Sequence, residues 1–139
     1  MNALSSSTEI APVERNKIVL HPGSLGRQGS LLRIIAKSNK LIVQSTNGFT
    51  CYPFSEIQFL KAQSNYTELH TGQKKVLISK TLKSLEAQLP EQLFFRVHKS
   101  FLVNAAFIKS YVNTGGESCL TLDDGTCIPV SRANKGMFR

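Results

Sequence analysis

One polar segment interrupts an apolar run between Phe94 and Asn104. The sequence FFRVHKSFLVN resembles a buried strand except for His98, Lys99 and Ser100, which supply an imidazole, an ammonium group and a hydroxyl in succession. A buried strand has no use for three consecutive polar side chains. Apolar residues on both sides can anchor the segment while its polar centre bends outward. The pattern therefore predicts a binding loop.

A second group of side chains suited to binding lies near the C-terminus. Ser131 can cap a short terminal helix, and Arg132 then falls in its first turn. Backbone N–H groups at a helix start favour a phosphate, and the planar fork of Arg132 can grip a phosphate or a guanine edge. The alternative is a solvated basic C-terminus.

The charge balance indicates what kind of partner these segments bind. The chain has 139 residues, with 17 Lys and Arg against nine Asp and Glu, which gives a net charge of +8. This excess favours an anionic partner such as nucleic acid or a lipid surface. The sequence contains neither a run of the ~20 apolar residues that a membrane span needs nor a signal peptide, so we expect a cytoplasmic protein.

Catalytic and metal-binding patterns are missing from the sequence. Its three histidines are scattered, with no nucleophile placed beside them by a recognisable motif. Neither the histidines nor the three cysteines supply a local pair of metal ligands. We expect the cysteines to be reduced thiols. The glycines at 23, 26 and 29 lack the Lys and Ser or Thr of a phosphate loop. We therefore predict no enzymatic activity, no metal and no cofactor.

The elements that position the two segments are mostly short strands. We interpret residues 1–16 as a disordered arm, 17–39 as a basic extension and 40–139 as one β-rich domain. Within the extension, KIVL at 17–20 favours a strand, residues 21–30 a loop, and LLRIIA is ambiguous between helix and strand. Further on, short strands separated by turn residues or polar breaks are predicted in KLIVQS, FTCYPF, EIQFLKA, YTELHT, KVLIS and IKSYV.

Two short helices are predicted among these strands. In TLKSLEAQL, Thr81 can cap the N-terminus, leucines recur at three and four residues, and Pro90 ends the helix. Asn104 is a cap candidate for a second helical turn at Ala105. The fold class is thus mostly β, with small antiparallel sheets and one or two short helices.

The final hairpin, SCLTLDDGTCIPV, contains two cysteines. A two-residue turn at Asp124 and Gly125 would pair Leu122 with Cys127 and place Cys119 and Cys127 on opposite faces. A disulfide between them needs another register, so packing is the expected role of both. Pro129 indicates an edge strand or a strand end.

Together, the NYT loop at 65–67, RVHKSFLVN and IPVSR resemble the LytTR family of bacterial DNA-binding domains in their order and spacing. The resemblance runs from about Lys40 to Phe138 and takes in SEIQFLKA, TLKSLEAQLP and LTLDDGTCIPVSR. It implies a fold of small antiparallel sheets that inserts loops, rather than a recognition helix, into successive grooves of DNA.

The family resemblance also implies a function and partners. Family members are sequence-specific regulators of transcription that bind paired direct repeats in promoters. The expected partner is therefore double-stranded DNA in the bacterial nucleoid, with a second copy of the chain on the DNA. The transcription machinery or a sensor protein are further candidate partners.

The candidate DNA-binding residues follow from the same resemblance. Lys99 can reach phosphates or groove edges, and Arg132 can bond guanine O6 and N7 together. Two assignments have alternatives: His98 can point inward to brace its loop, and Asn65 can bond its own backbone. Tyr66 is expected in the core. The full candidate set is Asn65, Thr67, His98, Lys99, Ser100, Arg132, Asn134 and Lys135.

The N-terminal part departs from the family pattern. Most members attach the domain to a receiver domain, whereas about 39 residues precede it here, so we expect no control by aspartyl phosphorylation. The segment from Arg15 to Lys40 holds six basic residues and no acidic ones, and it is a candidate for sheet extension, DNA backbone contact or self-contact. Two other functions remain open: a β-domain that binds RNA or single strands, and a protein-interaction adaptor.

Overall fold

A computed structural model describes residues 31–138, apart from 32, 36 and 73. The chain divides into two units, Met1–Ile35 and Ala36–Arg139. In the first unit, the described residues 31 and 33–35 are helical. The arm predicted at 1–16, the strand at 17–20 and the loop at 21–30 lie outside the described residues. None of the described helices has the length and apolar composition to cross a membrane.

The described residues of the second unit form ten short strands and one α-helix, α1 (Leu82–Glu86). Three short 3-10 helices accompany them, at Phe54–Glu56, Ala105–Phe107 and Arg132–Phe138. The strands are β1 (Lys40–Ser45), β2 (Gly48–Pro53), β3 (Ile57–Gln63), β4 (Tyr66–Thr71), β5 (Lys75–Ile78), β6 (Phe94–His98), β7 (Phe101–Asn104), β8 (Ile108–Asn113), β9 (Ser118–Leu122) and β10 (Cys127–Pro129). The mostly β prediction is confirmed.

The strands form three antiparallel sheets. A two-stranded sheet pairs β1 with β2, a three-stranded sheet has the order β10-β9-β8, and a five-stranded sheet has the order β5-β4-β3-β7-β6. Hairpins join β1 to β2, where Ser45 pairs with Gly48, and β3 to β4, where Gln63 pairs with Tyr66.

The five-stranded sheet separates two apolar cores. Neighbouring residues of a strand point to opposite faces, so Leu60 and Leu102 enter the first core while Phe59 and Val103 enter the second. The first core also contains side chains of β1 and α1. The second is completed by Leu120, Leu122 and Ile128 from the three-stranded sheet and by Val130.

Helix α1 is short and depends on this packing. The hydroxyl of Thr81 accepts a hydrogen bond from the Ser84 N–H, as the predicted cap requires. A helix of this length is unstable alone. Leu82 and Leu85 are buried, and each contributes roughly 1.5–3 kcal/mol when fully removed from water.

The hairpin of β9 and β10 does not have the register that we predicted. Cys127 lies opposite Thr121, not Leu122. The Leu122 N–H donates to the Thr126 carbonyl, so the loop holds three residues rather than two. Gly125 has a φ of +92°, the left-handed conformation that ends such a three-residue loop. The extra loop residue shifts the whole pairing by one position.

This register also changes the relation between the two hairpin cysteines. Cys119 lies opposite Pro129, which puts it on the same face as Cys127, with 6.1 Å between their Cα atoms. The two cysteines form a disulfide, so our expectation of opposite faces and reduced thiols was wrong for this pair. Cys51 is the free cysteine of the described residues. Pro129 does lie in an edge strand, as predicted.

The disulfide gives a labelling prediction. We expect iodoacetamide to add one group per chain, at Cys51, when protein purified without reductant is denatured, because the other two thiols are consumed. After reduction by a dithiol, three groups should be added. Intact-protein mass spectrometry distinguishes the two products, and triple labelling before reduction would contradict the pairing.

Candidate nucleic-acid interface

The three predicted binding segments lie side by side at one end of the five-stranded sheet. The turn between β6 and β7 is next to the turn between β3 and β4, because the Ala62 N–H donates to the Ser100 carbonyl at 2.8 Å. On the other side, the Ser131 N–H donates to the Val97 carbonyl at 2.9 Å. Two backbone hydrogen bonds thus set the relative positions of segments that are far apart in sequence.

The middle segment is a tight turn that presents Lys99. His98 pairs with Phe101 across a two-residue turn, and Lys99 is exposed at its tip. The ring of His98 is half-buried and contacts Phe101 edge-on, with 5.6 Å between ring centroids. Its Nδ1 accepts a hydrogen bond from the Ser100 N–H at 3.0 Å. The ring therefore braces the turn, which is the arrangement that we weighed against direct DNA contact.

A bulge in β6 connects this turn to the C-terminal segment. Arg96 pairs with Leu102 and His98 with Phe101, so Val97 is an extra residue on β6. The Val97 side chain is fully buried in the second core. Its carbonyl accepts the hydrogen bond from Ser131, so the bulge fixes where the last helix begins.

Arg96 lies beside the candidate interface and was not among the residues predicted from the sequence. Its Nε donates to the His98 carbonyl at 3.3 Å, and its Nη2 donates to the Lys99 carbonyl at 2.8 Å. Its Nη1 forms an ion pair with Glu86 of α1. No spacing in the sequence indicates these contacts, because they depend on how α1 packs against the sheet.

In the turn between β3 and β4, the burial of two residues, Thr67 and Tyr66, is the opposite of what we expected. Thr67 was predicted to contact DNA, but it is fully buried, and its hydroxyl donates to the Lys80 carbonyl at 2.8 Å instead of facing the surface. Tyr66, expected in the core, is 45% exposed. Asn65 is exposed in the turn after Ser64, whose φ is +58°. Asn65 therefore remains a candidate.

The C-terminal segment is a 3-10 helix that begins at Arg132. Its first hydrogen bond runs from the Asn134 N–H to the Ser131 carbonyl, at 3.0 Å. The Ser131 hydroxyl accepts from the side-chain amide of Asn134 at 2.7 Å. One of the two side-chain N–H donors of Asn134 is therefore used within the helix. Arg132, in contrast, is exposed. At the other end, Phe138 stacks on Tyr111 with 4.4 Å between centroids.

A shallow groove joins parts of the middle and C-terminal segments. His98, Arg132 and Lys135 all line it. So do Glu117 and the disulfide formed by Cys119 and Cys127. Candidate side chains from two segments therefore face one surface depression, where the cations of Arg132 and Lys135 outnumber the one carboxylate, Glu117.

The other acidic and histidine side chains of the sheet have structural partners. The hydrogen bond from His70 to Glu68, at 3.0 Å, holds the pKa of the Glu68 carboxyl below its usual value, and Lys75 and Lys61 add to this effect. The His70 ring stacks on Phe59, with 4.1 Å between centroids. These groups are used in packing the sheet, away from the turns.

Comparisons with known proteins agree with this architecture. Residues 47–139 match the family model described as the LytTr DNA-binding domain. The chain is 30% identical over 98 residues to the sensory transduction protein LytT of Bacillus subtilis, and 29% identical over 83 residues to the CO-responsive transcriptional regulator RcoM of Rhodospirillum rubrum. These alignments cover 70% and 58% of this chain, but only 41% and 35% of the two relatives.

A solved structure gives the same result for the fold. It is the LytTr DNA-binding domain of a methyl-accepting/DNA response regulator from Bacillus cereus, with a TM-score of 0.62 and 29% identity. The match covers 73% of this chain and 94% of that one. Nearly the whole of that domain is therefore present here.

Proposed function

The chain belongs to the family of LytTr DNA-binding domains, and on this basis we propose that it regulates transcription by reading double-stranded DNA at specific sequences. The observation that carries the proposal is the placement of the three segments along one end of a sheet. Asn65, Lys99 and Arg132 are all exposed there. Such a row can follow a duplex surface across successive grooves. Its place of action is the chromosome, in the cytoplasm.

We assign different tasks to the two exposed cations. Lys99 is a flexible ammonium at the tip of a turn, suited to phosphate oxygens. Arg132 is a planar fork at the start of a helix, suited to guanine O6 and N7. Ser100, Asn134 and Lys135 lie beside these residues and would add backbone contacts, whereas His98 would shape the turn.

We further propose that two copies occupy one site made of paired direct repeats. This rests on the family resemblance. The basic segment between Arg15 and Lys40 is the proposed place of self-contact or of additional contact with the DNA backbone.

Selection from a random duplex pool, at two salt concentrations, tests the proposal. We expect enrichment of a repeated motif, with retention that falls steeply as salt rises. Failure to enrich any motif at either salt concentration would contradict sequence-specific reading. Fragments without the repeat should be retained less than fragments with it.

A single-strand binder is the second candidate, and the exposure of Tyr66 favours it. A tyrosine that is 45% exposed beside the predicted interface can stack an unpaired base. The same selection distinguishes the two functions if unlabelled single strands are added as competitor. Loss of duplex retention at equal mass of competitor would favour the second candidate.

Lys99→Ala should weaken duplex binding evenly across sequences. Removing the ammonium that neutralises one phosphate should lower affinity about fivefold at ~0.15 M salt and reduce the salt slope by about 0.9. Fluorescence anisotropy with the selected duplex measures both. Lys74→Ala is the matched control, because Lys74 is exposed in the β4–β5 turn at the opposite end of the sheet. Equal losses in both variants would mean that Lys99 has no special place.

A further inference from the structure

We propose that Arg96 is a positioning residue that holds the Lys99 turn in its binding shape, anchored through Glu86. The proposal rests on the proposed function and adds a part to it. One guanidinium donates to the carbonyls of both His98 and Lys99, and its remaining Nη1 meets a carboxylate of another element. Arginine suits this task because its donors are fixed in a planar fork.

The turn is held from two directions, and Arg96 supplies one of them. The His98 ring accepts from the Ser100 N–H, which fixes the second half of the turn. The guanidinium of Arg96 binds the carbonyls of the first half, which no other side chain of the described residues does. Without Arg96, these two carbonyls would exchange a fixed partner for water.

The contact with Glu86 fixes the direction of the guanidinium. The Glu86 carboxylate lies at the end of α1, and α1 is held to the first core by Leu82 and Leu85. The shape of an exposed turn is thereby connected to a buried helix face. The side chains of Arg96 and Glu86 are 31% and 39% exposed, so the pair contributes little to overall stability.

The ion pair also separates the tasks of Arg96 and Lys99. The charge of Arg96 is already matched by Glu86, whereas Lys99 forms no ion pair with any described residue. The ammonium group of Lys99 is thus available to bind a phosphate. A turn that is already ordered loses less conformational entropy when its lysine binds, which raises affinity without a new contact.

Arg96→Lys and Glu86→Asp test the proposal, since both keep the net charge. Each should loosen the turn in the free protein, where NMR relaxation should show the Lys99 amide order parameter falling from about 0.85 toward 0.6. Each should also weaken binding to the selected duplex by about threefold, less than the loss from Lys99→Ala, because both act only through that turn. Glu91→Asp is the matched control and should change neither readout.

A double-mutant cycle separates positioning from direct contact. In a Lys99→Ala background, Arg96→Lys should weaken duplex binding by less than about twofold, because the side chain that it positions is already gone. An undiminished effect would mean that Arg96 touches DNA itself and would overturn the proposal. An unchanged order parameter at Lys99 would also overturn it. Failure of the wild-type chain to bind duplex would instead overturn the proposed function, while the relaxation measurement still decides whether Arg96 holds the turn.

Discussion

Arg132→Ala is expected to blur the sequence preference of the chain at particular base positions. Arg132 is exposed at the start of the last helix, where its fork can bond both acceptors of a guanine. One such bidentate contact discriminates against a wrong base by roughly 1–3 kcal/mol, so the preferred guanine should lose most of its enrichment. Parallel selection with wild type and variant, read by sequencing, measures the change position by position.

Arg132→Lys is the control that separates charge from geometry. A lysine keeps the attraction to phosphates but lacks the planar fork, so overall retention should stay near that of wild type while the base preference is lost. A selected motif that is unchanged in both variants would contradict the role of Arg132 as a base reader. The three exposed residues Asn65, Lys99 and Arg132 would then hold the DNA, but Arg132 would not select a base.

Asn104→Ala is expected to cause the largest loss of stability of any change considered. Asn104 is fully buried, and its side-chain amide donates to the carbonyls of Phe54 and Ile57 at 3.1 and 2.9 Å. Its Oδ1 accepts from the Ala106 N–H at 2.8 Å. Alanine would remove these three hydrogen bonds, two of them buried, and leave a cavity in place of the amide, at a cost of about 3 kcal/mol.

Thermal unfolding followed by circular dichroism measures this loss. The melting temperature should fall by at least ~10 °C for a domain of this size. Asn113→Ala is the matched control, because Asn113 is exposed at the end of β8 and should tolerate the change within about 0.5 kcal/mol. Similar melting temperatures for the two variants would contradict the assigned role of Asn104.

Most of the fold could be predicted from local patterns in the sequence. Alternating apolar residues and turn residues identified the strands, and Thr81 and Asn104 both cap the helical turns that they were expected to cap. These features depend on neighbours in the sequence. The family resemblance then indicated small antiparallel sheets, but not the order of their strands.

Two errors had a local cause that the sequence does contain. Residues of β4 alternate between faces, and since Leu69 is buried, Thr67 must be buried and Tyr66 must face outward. At the last hairpin, a three-residue loop ending in Gly125 competes with the two-residue loop that we assumed. A one-residue difference there was enough to misplace both cysteines.

The contacts of Arg96 had no such local signal. An arginine two residues before a histidine and three before a lysine is indistinguishable in the sequence from any other basic side chain. Its acceptors are two backbone carbonyls across a turn and a carboxylate ten positions earlier in the chain. Only the packing of α1 on the sheet brings these groups together.

The two cores on opposite faces of one sheet have a consequence for local unfolding. Lys99 belongs to a turn of the five-stranded sheet itself, whereas Arg132 follows Val130, which packs in the second core with the three-stranded sheet. Cooperative units that open separately often coincide with such supersecondary blocks. If the three-stranded sheet separated transiently from the second core, Arg132 would move with it, because the Val130 N–H donates to the Ser118 carbonyl of β9, while the pairing of β6 with β7 would still hold the Lys99 turn. Such a state would still be drawn to DNA by charge, and it could move along the duplex without reading it until the core closes again.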